Sequence, residues 1–180
     1  MNITKATAAD INDIAHIHVD GWRSSYGGII DQDYIDSKTI EDRIALWTDI
    51  FEKDETTTLL ARDENGTAAG FVSFGKIRTA PPGMSPIRPL YTAEIYAIYI
   101  LEDYWRKGLG KQLMKAASDA LKGDKHQSVC LWVLEKNKNA NAFYKAIGGE
   151  RCGKIDVEFG PTKAREVCYG WRKLKTIDEA

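Results

Sequence analysis

The sequence lacks several features that would define whole classes of protein. It has no apolar run near the roughly 20 residues of a membrane-spanning helix, and its start, MNITKATAADIND, has no apolar stretch of signal-peptide length. Its formal net charge is −1, so no global basic field points to nucleic acid or to an anionic membrane. We therefore expect a globular cytoplasmic protein with neither of these partners.

Cysteine is also scarce. The three cysteines are odd in number, and their spacing matches neither a zinc site nor a disulfide framework: Cys130, Cys152 and Cys168. Each falls in a strand-like segment, which predicts small core side chains in a reducing compartment. No metal is expected.

The length of the chain and the positions of its prolines indicate a single domain over residues 1–180. Four of the five prolines fall in one segment, APPGMSPIRPL at 80–90. This segment predicts a loop at the edge of a cleft, and it does not require a domain linker.

The first half of the chain changes from helical to strand periodicity. A strand over 2–6 is followed by a helix that opens with a capping box at Thr7 and ends at Gly27-Gly28. A second helix, capped by Thr39, places apolar residues on one side from 40 to 51. Strands at 56–63 and 68–77 are then joined by a hairpin at Asn65-Gly66.

The second half predicts a central strand and a crossover. TAEIYAIYIL at 92–101 is apolar at nearly every position, which is typical of a strand covered on both faces. A helix from 109, a strand at 128–134, a short helix at 139–148 and one or two final strands, including 166–174, follow. The predicted fold class is mixed α/β (α+β), with a mostly antiparallel sheet, flanking helices and a right-handed crossover from about 92 to 134.

A basic glycine turn lies between the central strand and the following helix. It reads Arg106-Lys107-Gly108-Leu109-Gly110-Lys111. Unpaired amides at a helix start attract anions, and glycines allow close approach of a phosphate. The third glycine of a dinucleotide fingerprint is missing, and a P-loop is absent. Two interpretations remain open: a phosphate site, or glycines that pack a helix beside solvated lysines.

Two motifs together resemble a known family. The strand, the basic G-x-G and the helix resemble the acetyl-CoA-binding motif of the GNAT superfamily of N-acetyltransferases. NKNANAFY at 137–144 resembles that family's second motif, N-x-x-A-x-x-F-Y. The resemblance covers essentially the whole chain, with Trp105 where the family usually has Gln or Arg, and Gly148-Gly149 where it favours Gly-Phe.

This resemblance implies acetyl-CoA as cosubstrate. Its diphosphate would bind the six residues of the basic glycine turn: Arg106, Lys107, Gly108, Leu109, Gly110 and Lys111. Its pantetheine arm would pair with the end of the central strand at Ile98, Tyr99 and Ile100. Asn137 occupies a cofactor-contacting position, although it would also suit the N-cap of the short helix.

The resemblance also implies catalytic groups. Tyr144 occupies the position of a tyrosine that serves as general acid, or it packs as an amphipathic helix residue. Glu94, the only charged residue between Thr92 and Leu101, is the candidate base, expected from alternation to share a face with Tyr96, Ile98 and Ile100. Glu94 could instead lie at the rim, with solvent taking the proton.

The acceptor side is less specified. Three aromatic rings at helical spacing are candidates to line it, although each also suits the core: His18, Trp22 and Tyr26. The resemblance implies transfer of acetyl to a primary amine, which we expect to be a small molecule, such as a polyamine, an amino acid derivative or an amine toxin, by direct attack in a ternary complex. The alternatives are protein N-terminal or lysine acetylation, a non-catalytic acyl-CoA sensor, or a nucleotide-binding domain. Exposed strand edges near the C-terminus make a homodimer a further expectation.

Overall fold

The computed structural model describes residues 1–85 and 89–179. Its seven strands form one sheet in the order β1-β2-β3-β4-β5-β7-β6. The strands are β1 (Asn2–Lys5), β2 (Thr57–Arg62), β3 (Ala68–Lys76), β4 (Ala93–Ile100), β5 (Val129–Leu134), β6 (Glu150–Phe159) and β7 (Thr162–Trp171). The helices are α1 (Ile11–Tyr26), α2 (Gln32–Asp36), α3 (Ile40–Lys53), α4 (Leu109–Gly123), α5 (Lys138–Ala146) and α6 (Lys175–Asp178). The predicted fold class is confirmed, and two strands close the chain.

Local sequence signals account for the helix starts. Capping boxes form at Thr7 with Asp10, before α1, and at Thr39 with Asp42, before α3. Each threonine and its acid exchange hydrogen bonds with backbone groups that the helix leaves unpaired. Gly66 adopts a φ of 84° in the predicted hairpin between β2 and β3, a conformation that glycine adopts without strain.

The helices cover both faces of the sheet. The larger apolar cluster joins α4, α5 and α6 to one face, with Leu113, Val129 and Trp171 at its centre. A second cluster joins α1 and α3 to the opposite face around Trp47 and Phe71. No helix within residues 1–85 and 89–179 is long and apolar enough to cross a bilayer. In the proline-rich segment, Pro81 and Pro82 lie against Gly153 on β6 and Met84 packs beside Tyr91, whereas Pro86 to Arg88 lie outside the described residues.

Strands β4 and β5 separate partway along their length. They form the parallel pair of the sheet, but only Ala93–Ile95 pair with Val129–Leu131. Beyond Ile95 the two strands diverge, so within residues 1–85 and 89–179 the remaining edge of β4 has no strand partner on that side. The split is what opens a cleft in the middle of the sheet.

A β-bulge corrects the face predicted for Glu94. Ser73 pairs with Ala97 whereas Phe74 pairs with Ile95, so Tyr96 is the extra residue on β4. Ile95, Ile98 and Ile100 consequently all pack toward the α4 cluster. Glu94 lies on the opposite face from Ile98 and Ile100, because an inserted residue reverses the alternation that the sequence pattern assumes.

Candidate active site

The split between β4 and β5 leads into a cavity of about 500 Å³. The start of α4, the helix α5 and the C-terminal half of α1 complete its walls. Most of the residues predicted for acetyl-CoA line it: Ile98, Tyr99, Ile100, Arg106, Gly108, Leu109, Gly110, Lys111, Asn137 and Tyr144.

The backbone of β4 presents hydrogen-bonding groups to this cavity. The Leu101 amide donates to the Ala69 carbonyl oxygen, so it points toward β3. Amides alternate in direction along a strand, so those of Ile98 and Ile100 point away from β3, into the cleft. The split therefore leaves two peptide N–H groups facing the space that β5 vacates.

The basic glycine turn places a helix start at one end of the cavity. Gly108 has a φ of 81°, and a Cβ added there would meet only Gln112 Nε2, at 3.9 Å. The first helical bond runs from the Gln112 amide to the Gly108 carbonyl, which leaves the three preceding amides without a helical acceptor. The open space before Gly108 and these amides suit an anion.

The second glycine has a packing role. A Cβ at Gly110 would lie 3.1 Å from Phe143 Cζ and 3.5 Å from Ile100 Cδ1. Gly110 thus allows α5 to pack against the start of α4. The two interpretations of the G-x-G motif apply to different glycines: Gly108 leaves room for a ligand, and Gly110 leaves room for a ring.

The three cationic side chains of the basic glycine turn do not all face the cavity. Arg106, with a φ of 58°, and Lys111 line the cavity, whereas the Lys107 Nζ lies 5.7 Å from the centroid of the Tyr104 ring, outside the lining. The positive charge at the cavity comes from Arg106, Lys111 and the helix start. Lys107 contributes to that field only at longer range.

Tyr144 forms part of the inner wall. Its side chain is 7% exposed, and burial raises the pKa of its hydroxyl well above the ordinary value. The hydroxyl makes no hydrogen bond to any residue in the described part of the chain. A tyrosine held in this way keeps its proton at neutral pH.

Asn137 serves the cap role, and it also lines the cavity. Its side-chain oxygen accepts a hydrogen bond of 3.1 Å from the Ala140 amide. This bond fixes the first turn of α5 and thereby the position of Tyr144.

Glu94 lies outside the cavity lining and is tied to the backbone. It is 6% exposed, and its Oε2 accepts hydrogen bonds of 2.7 Å from the amides of Arg78 and Thr79. A second carboxylate, Glu166 on β7, was missed at the level of sequence. Burial first, and the charge of Glu94 second, raise the pKa of Glu166. Glu94 and Glu166 lie far apart in the sequence, so no local sequence pattern predicts that the two carboxylates interact.

The three aromatic residues of α1 do lie side by side, with His18 buried and Trp22 and Tyr26 half-buried. His18 Nδ1 accepts a hydrogen bond of 3.1 Å from the Trp47 indole, and burial lowers the pKa of His18 to about 3. The Arg43 guanidinium lies over the Trp22 ring, 5.3 Å from its centroid, so a cation of the protein itself occupies the ring face that could have received the amine. The Tyr26 and Tyr99 hydroxyls are 3.1 Å apart. None of the three α1 rings lines the cavity, where α1 contributes Ser24 and Ser25 instead.

Trp105 is the cavity residue that departs from the family pattern. Its indole N–H donates a 2.7 Å hydrogen bond to the Ile100 carbonyl oxygen. The family pattern has Gln or Arg here, and Trp105 offers a single N–H donor that serves the backbone of β4.

A second depression, of about 690 Å³, adjoins the cavity at the turn after β5. Lys136 belongs to the depression, and Asn137, the next residue, belongs to the cavity. The depression carries charges of both signs: Glu135, Lys136, Asp156, Glu158, Lys163 and Arg165. Several of these charges pair with one another, as in the 2.8 Å contact between Arg165 and Asp156.

Comparison with known proteins agrees with the geometry. The profile of the acetyltransferase (GNAT) family matches residues 14–148. The uncharacterized N-acetyltransferase YuaI of Bacillus subtilis is 34% identical over 177 residues, which cover 98% of this chain and 96% of that protein. PaiA N-acetyltransferase from Thermoplasma acidophilum, solved with coenzyme A, superposes with a TM-score of 0.69 at 20% identity, over 94% of this chain and 96% of that chain. YncA from Salmonella typhimurium, solved with acetyl-CoA, superposes with a TM-score of 0.69 at 21% identity. The superposition covers 97% of this chain and 94% of that chain. The chain therefore belongs to the GNAT family of acetyltransferases.

Proposed function

We propose that this GNAT acetyltransferase transfers acetyl from acetyl-CoA to a small primary amine, by direct attack within a ternary complex. One observation carries the proposal. A single cavity contains the unpaired amides of β4, the anion-attracting start of α4 and the buried hydroxyl of Tyr144. Together they can bind the cosubstrate, stabilise an oxyanion and protonate the leaving thiolate.

The cavity suits the cosubstrate along its length. The helix start, with Arg106 and Lys111, would hold the diphosphate. The amide of Ile100 would pair with the pantetheine arm, as an added strand pairs with an exposed sheet edge. Solved family members with 20% and 21% identity contain coenzyme A or acetyl-CoA, which supports the same ligand here.

The residues of the chain supply a proton and an oxyanion site. Acetyl-CoA, when bound, supplies the activated acetyl group as a thioester. The Ile98 amide, the other β4 donor that faces the cleft, stabilises negative charge on the carbonyl oxygen as the amine attacks. Tyr144, neutral at pH 7, donates its proton to the departing sulfur.

The amine must also lose a proton, and Glu94 is the candidate acceptor. Its carboxylate is fixed by two amides on the face opposite the α4 cluster, so a proton would reach it through water. The alternative is direct loss of the proton to solvent, with Glu94 acting only as an anchor for the loop after β3.

We propose that the second depression receives the acceptor, and its mixed lining favours one that carries charges of both signs. Its carboxylates already pair with Lys163, Arg165 and Arg151, so a polyamine would have to displace existing partners. An amino acid derivative can offer an ammonium group and a carboxylate together. We therefore place amino-acid-like amines first among the small acceptors, ahead of polyamines and protein lysines.

Thiol release from acetyl-CoA over an amine panel tests the proposal. The panel should include amino acid derivatives, polyamines and peptides with a free N-terminus or lysine. Wild type should turn over at least one amine, and Tyr144→Phe should lower kcat about 100-fold or more while acetyl-CoA affinity stays the same. Tyr169→Phe is the matched control, because its ring lies 5.9 Å from Tyr144 but outside the cavity lining.

A catalytically silent sensor gives a different result. It would bind acetyl-CoA, with a rise in the midpoint of thermal unfolding that depends on ligand concentration, but it would release no thiol with any amine. That result would refute the catalytic proposal.

A further inference from the structure

The fold brings together the three cysteines that are far apart in sequence. Cys130 lies on β5, Cys168 on β7 and Cys152 on β6, and all three belong to one apolar cluster with Tyr91. The thiol of Cys168 lies 3.9 Å from the carbonyl oxygen of Tyr169. Cys152 Sγ is also 3.6 Å from the Cys168 carbonyl oxygen. The cluster is separate from the cavity that would hold acetyl-CoA, whose lining includes none of these residues.

Strand register determines which of these cysteines can be joined. Gly153 pairs with Cys168 and Arg151 pairs with Tyr169, so Cys152 is the bulged residue opposite Cys168. Adjacent strands are about 4.8 Å apart, which suits the Cα separation of roughly 4.4–6.8 Å in a disulfide. Cys152 and Cys168 therefore lie on adjacent strands whose spacing falls within the range that a disulfide spans.

The other two combinations are disfavoured by the same register. Cys130 pairs with Gly170, while Cys168 pairs with Trp132, so Cys130 and Cys168 are diagonal neighbours. Diagonal Cα atoms are about 7–8 Å apart, beyond disulfide range. Cys130 and Cys152 are separated by the whole of β7.

Exposure and electrostatics single out one of the three thiols. Cys130 and Cys168 are fully buried, whereas Cys152 is half-buried and reachable from solvent. The Cys168 S–H, and then the Tyr91 hydroxyl and the Arg172 charge, lower the pKa of Cys152 to about 7, against the opposing effect of burial. The reactive form of cysteine is the thiolate, so Cys152 combines access with nucleophilicity.

The surroundings hold the bulge in place. A Cβ at Gly153 would lie 3.2 Å from Pro81 Cβ and 3.4 Å from the Trp132 ring, so the proline-rich segment packs directly on it. The Tyr91 ring covers the neighbouring Gly170 in the same way. A metal does not explain the cluster, because no group of three or more His, Cys, Asp or Glu in the described residues is placed to hold one.

We propose that Cys152 is a peroxide-reactive thiol and that Cys168 resolves its oxidised form into a Cys152–Cys168 disulfide. In the first step the Cys152 thiolate attacks a peroxide oxygen. The S–O bond forms, the O–O bond breaks, and the departing oxygen takes a proton as water or alcohol. The sulfur is oxidised to a sulfenic acid, and the peroxide is reduced.

In the second step the Cys168 sulfur attacks Cys152. The S–S bond forms, the S–O bond breaks, and the hydroxyl group leaves with the Cys168 proton as water. Cys130, the diagonal neighbour of Cys168, stays reduced. This chemistry is independent of acetyl transfer.

Treatment of the reduced protein with hydrogen peroxide tests the proposal. Intact mass should fall by two hydrogens, and non-reducing peptide maps should contain the Cys152–Cys168 link. Cys168→Ser should instead accumulate a sulfenic acid at Cys152 that dimedone traps. Cys130→Ser, the matched control from the same cluster, should form the disulfide as wild type does. Thermal unfolding confirms that each variant is folded.

A second measurement needs only the wild-type chain. Alkylation of Cys152 by iodoacetamide should reach half its maximal rate near pH 7, rather than near the pH of about 8.5 that is usual for cysteine. A Cys130–Cys168 link, a sulfinic acid at Cys152 without a disulfide in wild type, or three unmodified thiols at peroxide levels that oxidise glutathione would each overturn the proposal.

Discussion

The Trp105 indole donates a hydrogen bond to the carbonyl oxygen of Ile100, at 2.7 Å, across the mouth of the cavity. This bond fixes the last residue of β4 at the point where β5 has already diverged. The Ile100 amide, on the same peptide edge, is thereby held facing the cleft. The Trp105 indole thus positions the end of β4 from a site where the family pattern has Gln or Arg.

Replacement of Trp105 by Phe should weaken acetyl-CoA binding. The ring remains, but the N–H is lost, and a hydrogen bond of this kind contributes about 1 kcal/mol, or roughly fivefold in Kd. Titration calorimetry with acetyl-CoA measures the change. Trp132→Phe is the control, since its indole donates to the Thr79 carbonyl at 2.9 Å, outside the cavity lining. Equal effects of the two substitutions would contradict the proposed role.

Lys111 should bind the diphosphate, and Lys115 should not. Both lie on the exposed side of α4, but Lys111 lines the cavity, whereas Lys115 Nζ lies 3.7 Å from Asp119. Lys111→Gln should therefore weaken acetyl-CoA binding several-fold and reduce its dependence on salt, because an exposed charge is screened. Affinity measured between low and physiological ionic strength checks this. A matching loss in Lys115→Gln would indicate a diffuse field instead of a contact.

The sequence predicted the elements of the site better than their mutual orientation. Local signals at Gly108, Asn137 and Tyr144 identified residues that do line one cavity. The sheet face predicted for Glu94 was wrong, because side chains alternate along a strand only where there is no bulge. The bulge at Tyr96 arises from the pairing of β4 with β3, which the sequence of β4 alone does not show. The cluster of Cys130, Cys152 and Cys168 could not be predicted for a similar reason. The three cysteines lie on different strands, and only the order and register of β5, β7 and β6 in the sheet bring them together.

Substitution of Glu94 separates its two candidate roles. Gln keeps an oxygen for the Arg78 and Thr79 amides but cannot take a proton, whereas Ala leaves both amides unpaired. If Glu94 is the base, Glu94→Gln keeps wild-type stability and lowers kcat/KM at neutral pH by about 100-fold, with a smaller loss at high pH. The pH profile of kcat/KM and the unfolding midpoint are the measurements. A Gln variant with the wild-type profile, beside a destabilised Ala variant, would assign Glu94 to the loop alone.

His18 should make the fold sensitive to acid. Its ring is buried, with Nδ1 accepting the Trp47 N–H, and burial lowers the pKa of His18 from 6.5 to about 3. Between these pH values the unfolded chain binds a proton that the folded chain excludes. The stability that His18 provides is therefore complete above pH 6.5 and is lost as pH falls toward 3, by about 1.4 kcal/mol per pH unit, or about 2 kcal/mol at pH 5.

Urea unfolding of wild type and His18→Gln at pH 5, 6 and 7 measures this slope. Gln does not titrate and can still accept the Trp47 bond, so the variant should lose less stability on acidification, even if it is less stable at pH 7. His16→Gln is the control on the same helix, because His16 is exposed and substitution there should leave the slope as in wild type. Parallel pH dependence in wild type and His18→Gln would mean that His18 is protonated within the fold. The Trp47 indole would then lack its acceptor, and the core around α1 would have to rearrange.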